Sequence, residues 1–65
     1  MMTAEEIRSL RQAFDYTQEE FARVVGISMR QVSMWETGRA VPLKRHTRKM
    51  AKLSDKLALL SQKGE

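Results

Sequence analysis

Apolar residues recur along this chain at intervals of three and four, the spacing that lines one face of an α-helix. Ile7, Leu10 and Phe14 form the first such set, Phe21, Ala22 and Val25 the second, and Val32 and Trp35 the third. Met50, Leu53, Leu57 and Leu60 follow at spacings of 3, 4 and 3. The pattern shows no strand alternation, no repeat and no low-complexity linker, so the chain is predicted to be all-α. Three segments fit the S/T-x-x-E/Q capping pattern: Thr3 to Glu6, Thr17 to Glu20 and Ser28 to Gln31. In each, the hydroxyl can accept from an orphan amide while the Glu or Gln reaches back to the cap's own amide. These starts and stripes predict helices at about 4–14, 18–25 and 29–36, and a fourth from near Leu43 to about 62. Pro42 suits a loop or a first helical position, and no Gly or Pro stops the fourth helix before Gly64.

The stretch from Gln18 to Thr37, 20 residues long, carries the strongest local signal. Ala22 at its fifth position allows close helix approach. Gly26 at its ninth can adopt the left-handed conformation that ends a helix without a Cβ clash. Val32 and Trp35, three apart, share one face of the second helix. Two short helices joined at a tight glycine corner form a helix-turn-helix, which predicts sequence-specific DNA binding.

Length and composition narrow the alternatives. At 65 residues there is room for one domain, 1–65. A chain of this size buries only about 60% of the surface that its unfolded form exposes. It has no cysteine and one histidine, His46, so neither a disulfide nor a metal site is expected, and no cofactor. No nucleophile sits beside a base and there is no glycine-rich phosphate loop, so no enzyme activity is expected. No apolar run approaches the ~20 residues that span a membrane, and a soluble cytoplasmic protein is expected.

Charge is divided along the chain. Residues 1–20 hold two basic and five acidic side chains, and residues 21–65 hold ten basic and three acidic. The excess is densest from Arg39 to Lys56, where seven cations face Asp55 alone. A polyanion would bind that half while the acidic start faces away.

Thr17 to Ala22, then Gly26-Ile27-Ser28, then Trp35 to Arg39, then Pro42 together resemble the Cro/phage-repressor-like (XRE-type) helix-turn-helix family. The resemblance covers about residues 5–53. It implies a compact bundle of four or five helices, of the lambda-repressor type, that binds operator DNA as a dimer. Such proteins are mostly repressors in phages, plasmids and bacteria, and many are antitoxins or regulators of their own operon. The resemblance places a phosphate clamp on Gln18 and a structural salt bridge between Arg11 and Glu36. Relatives end the fourth helix near the position of Leu53, whereas here Ser54 to Leu60 continues the helical pattern.

With Val32 and Trp35 turned inward, Arg30, Ser33, Met34 and Thr37 point outward, and Met29 joins them at the end that enters the major groove. These five are the predicted base readers. Arg30 leads, because its fork can donate twice to a guanine edge. Met29 and Met34 stand where many relatives carry polar readers, and suit thymine methyl groups. Arg39, Lys44 and Arg45 are predicted to hold phosphates, as is Ser28. Gln31 has two candidate uses, the capping box or a phosphate. Trp35 is read as a core anchor, and His46 as exposed or close to a phosphate. Leu53, Leu57 and Leu60 exceed what three helices can cover, which predicts a homodimer on a palindromic double-stranded operator with half-sites roughly 34 Å apart. The reading is a dimeric repressor of its own operon. Its alternatives are an antitoxin with a toxin partner, for which little chain remains after residue 53, and a protein-interaction module that uses the leucine stripe without DNA.

Overall fold

The computed structural model describes residues 2–63, with side chains to residue 60. It contains α1 (Ala4–Ala13), α2 (Gln18–Val25), α3 (Met29–Glu36) and α4 (Lys44–Lys63). The described residues include no strand. No helix among them is long and apolar enough to cross a membrane. The expected stop at Gly64 lies outside the described residues.

Two of the three predicted capping boxes form completely. The Thr3 and Thr17 amides donate to Glu6 and Glu20 at 2.8 Å, and the hydroxyls accept from the Glu6 and Glu20 amides at 3.1 Å. Only half of the third exists: Ser28 Oγ accepts from the Gln31 amide at 3.2 Å, while Gln31 returns no bond to Ser28. Its side chain is thus left for another use. The first helix ends at Ala13 rather than Phe14, because Asp15 turns left-handed at φ 59°. A short polar side chain tolerates that region. The turn stacks Phe14 on Tyr16, with ring centroids 5.5 Å apart.

The helix-turn-helix corner follows the predicted chemistry. Gly26 adopts φ 85°, and its amide and that of Ile27 both donate to the Ala22 carbonyl, at 2.8 and 2.9 Å. Ala22 is buried, so α2 and α3 meet without a bulky side chain between them. Lys49 of α4 adds a contact that the sequence did not suggest. Its ammonium donates to the Val25 carbonyl at 3.2 Å, neutralising the negative end of α2. A Cβ at position 26 would lie 3.3 Å from this same nitrogen.

One core joins all four helices: Ile7 and Leu10 from α1, Phe21, Ala22 and Val25 from α2, Val32 and Trp35 from α3, and Met50 from α4. Phe14 and Leu53 are only partly buried at its edge. The α4 helix runs unbroken through Ser54. A helix of 20 residues spans about 30 Å, against minor extents of 22 and 19 Å for the whole molecule. Its distal end therefore outreaches the core, leaving Leu59 and Leu60 61% and 50% exposed and Leu57 half-buried.

Candidate nucleic-acid interface

The α3 helix presents the predicted readers on its free side. Met29 is 53% exposed, Arg30 and Thr37 are exposed, and Ser33 and Met34 are half-buried. Arg30, Ser33, Met34, Thr37 and Arg39 together line a concavity of about 390 Å³. A second concavity, about 350 Å³, lies at the other end of α3 and collects Ser28, Gln31, Arg45 and His46 beneath Gly26, Ile27 and Leu43. Twelve residues between positions 26 and 46 thus line two hollows along one short helix, with Arg30 and Arg39 in the first and Arg45 in the second. The Thr37 hydroxyl donates back to the Ser33 carbonyl at 2.9 Å. It therefore offers a ligand lone pairs and a methyl group rather than a proton.

Two of the predicted phosphate contacts stand apart from these hollows. Lys44 lines a different groove, with Met2, Thr47 and Arg48. Gln18 turns its amide inward, and Nε2 donates to Glu36 Oε1 at 3.2 Å. One of its two amide hydrogens is therefore used inside the protein.

Glu36 is the centre of the scaffold behind α3. It is 4% exposed, the one buried charged residue among those described. Arg11 grips it with two hydrogen bonds, Nε to Oε2 at 2.7 Å and Nη2 to Oε1 at 3.0 Å. Arg11 also donates to the Tyr16 carbonyl at 2.9 Å. Arg8, which the sequence reading missed, donates to the Glu36 carbonyl at 2.7 Å and places its charge 3.7 Å from Oε1. It lies one turn before Arg11 on the same helical face, which was the available signal. Burial alone would raise the Glu36 pKa. The bonds from Arg11 and Gln18, with the charges of Arg11 and Arg8, outweigh it and hold the carboxyl below its usual value. The bond to Glu36 correspondingly raises Arg11 against the opposing effect of burial.

His46 is not freely exposed, which removes the first of the two sequence expectations for it and leaves the place close to a phosphate. It is half-buried, with its ring 5.3 Å from that of Trp35 and tilted by 52°. Helical geometry explains the difference. His46 lies four residues before Met50, so it shares the core-facing side of α4. Burial first, then the charges of Arg45 and Lys49, lower its pKa. Trp35 is buried, as expected for a core anchor. Among the described residues no group of His, Cys, Asp or Glu is placed to hold a metal ion.

Comparison with known proteins agrees with this geometry. A family model described as Helix-turn-helix matches residues 7–56. Antitoxin PezA of Streptococcus pneumoniae serotype 4 (strain ATCC BAA-334 / TIGR4) is 51% identical over 37 residues, 57% of this chain and 23% of that protein. The chain therefore spans about a quarter of the length of the curated relative it matches. No solved structure matches. With most of its length matched, the chain belongs to the helix-turn-helix family of Cro/C1 (XRE) type.

Proposed function

We propose that this protein is a sequence-specific DNA-binding regulator, acting in the cytoplasm as a dimeric repressor of its own operon. One observation carries the reading: the outward side of α3 is flanked by two hollows, one lined by Arg30 and Arg39 and the other by Arg45. In this reading α3 enters the major groove. Arg30 donates to guanine O6 and N7, Met29 and Met34 pack on thymine methyl groups, and Ser33 and Thr37 complete the contact. Ser28, Gln31, Arg39 and Arg45 hold phosphates and set the register, with Lys44 and the remaining Gln18 hydrogen as outlying contacts. The exposed end of α4 supplies the dimer contact. Leu53 serves mainly the chain's own core, so the unpartnered stripe consists of Leu57 and Leu60, to which the structure adds Leu59. A repressor built this way blocks a promoter sterically, and residues 1–65 act as one domain without a cofactor or catalysis.

Fluorescence anisotropy with the DNA flanking the gene, against scrambled DNA at several salt concentrations, tests the reading. Specific binding is expected to weaken on Arg30→Ala by ~1–3 kcal/mol, roughly 5- to 150-fold, while fold and oligomeric state persist. The slope of log K against log salt counts the phosphates held. Equal, weak binding to both DNAs would overturn the sequence-specific reading. Sedimentation checks the dimer: Leu60→Asp is expected to yield monomers that still fold, because Leu60 lies outside the core. An unchanged sedimentation profile would remove α4 from the dimer contact.

The likeness to an antitoxin supports a second reading, in which the protein also neutralises a toxin partner. Co-purification with the product of an adjacent gene, and loss of that product's toxicity on co-expression, distinguish the two. A non-DNA interaction module would show the opposite pattern, with Leu57→Asp disruptive and Arg30→Ala silent.

A further inference from the structure

We propose that the hollow between the α2–α3 turn and the start of α4 seats a DNA backbone phosphate, and that His46 makes binding there proton-linked. The inference rests on the DNA-binding reading above and adds His46 to it.

The hollow has the construction of an anion site. Arg45 and His46 line one wall, and Ser28 and Gln31 the other. Two helix starts meet there. At α3, the Gln31 amide is taken by Ser28, which leaves the Met29 and Arg30 amides without helical acceptors. At α4, the Leu43 carbonyl accepts from the His46 and Thr47 amides, which leaves those of Lys44 and Arg45 in the same position. The partial positive charge of both helix ends favours a bound anion.

His46 is the unexplained member. Its Nδ1 is buried and has no hydrogen-bond partner. A buried polar atom without a partner costs stability, and a bound ion is one arrangement that offsets the cost. The ring is held in place by Trp35 beneath it. The charges acting on it are both cationic, Arg45 and Lys49 of its own helix, and Lys49 is already bonded to the Val25 carbonyl. The α2–α3 turn and α3 face it with Gly26, Ile27, Ser28, Gln31 and Trp35, none of which carries a charge. In the free protein burial and these two charges hold the imidazole pKa below its ordinary value, favouring the neutral form. A phosphate in the hollow supplies the missing negative charge and favours the imidazolium. Binding and protonation then favour each other equally, as linkage requires.

The chain's one histidine makes the test direct. The ring protons of His46 would be followed by NMR from about pH 8 to 5, in the free protein and in its complex with a specific duplex. The expected result is a midpoint that moves upward in the complex. Affinity by anisotropy should rise as pH falls, by up to about tenfold per pH unit for one proton. In His46→Gln, checked for fold by circular dichroism, that rise should be lost. An unchanged midpoint in a formed complex would overturn the inference and leave the DNA reading standing. A shift with inorganic phosphate but none with the duplex would also overturn it, since the hollow would then be a free-anion site. If no duplex binds at any pH, the DNA reading falls and takes this inference with it.

Discussion

Glu36→Ala is expected to destabilise the protein by about 3–5 kcal/mol, because it leaves the partly buried Arg11 guanidinium without its carboxylate. Small domains hold only about 5–15 kcal/mol in total, and without cysteine this one has no disulfide to make up the loss. Much of the variant should therefore be unfolded at physiological temperature. Urea denaturation followed by circular dichroism measures the effect. Removing Arg11 as well should restore part of the loss, since the double variant buries no lone charge. A cost below about 1 kcal/mol, typical of exposed ion pairs, would show that the network does not hold the bundle together.

The same group predicts a pH dependence with a definite sign. The folded Glu36 pKa is lowered, with burial opposing and the Arg11 and Gln18 bonds prevailing. Its contribution is therefore complete above the ordinary carboxylate value and is lost as pH falls through the folded value. Glu36→Gln should be less stable near neutrality and should lack this part of the acid sensitivity. A consequence for function follows from the geometry. Arg8 and Arg11 of α1, and Gln18 of α2, all bond to the last residue of α3. The angle at which α3 presents Arg30 depends on that junction.

Trp35→Ala should cost a similar ~3–5 kcal/mol, through lost burial and the cavity left behind. Trp35 is 1% exposed at the centre of the core and also supports the His46 ring. Trp35→Phe should cost clearly less, because it leaves a smaller void. Trp35 Nε1 is buried without a hydrogen-bond partner, and an unmet buried donor costs about 1–3 kcal/mol. Both substitutions remove that donor, so the difference between them reads the void alone. Thermal unfolding by circular dichroism of both variants measures it. Equal losses for the two would mean that the volume filled by the ring contributes little at this site.

The helix starts were legible because capping is local. A Thr three residues before a Glu needs only its own turn to form the box, and both Thr boxes formed. Ser28 and Gln31 show the limit of that logic. The hydroxyl half formed and the return bond from the Gln31 side chain did not. The core stripe of α3 was equally legible, since spacing on one helix dictates which side chains share a face. The outward placement of the proposed readers on α3 followed from the same periodicity, and the structure adds the hollow that groups Arg30, Ser33, Met34 and Thr37. Arg8 was legible only as a neighbour of Arg11 on one helical face, and Lys49 not at all. One bonds to a residue 28 positions away and the other to one 24 away, and no local rule sets such distances.

By itself, the sequence determined the all-α class, the positions of four helices, the glycine corner at Gly26 and the residues of α3 that face outward. Each depends on periodicity, capping or backbone sterics within a few neighbouring residues. Only the tertiary structure decided the rest. It turned His46 onto Trp35, drew Gln18 and Arg8 to Glu36, set Lys44 apart from Arg45, and used Leu53 for the core while leaving Leu59 and Leu60 uncovered. Those outcomes depend on where α1, α2 and α3 end relative to α4. That placement is fixed by packing and charge pairing between residues far apart in the chain.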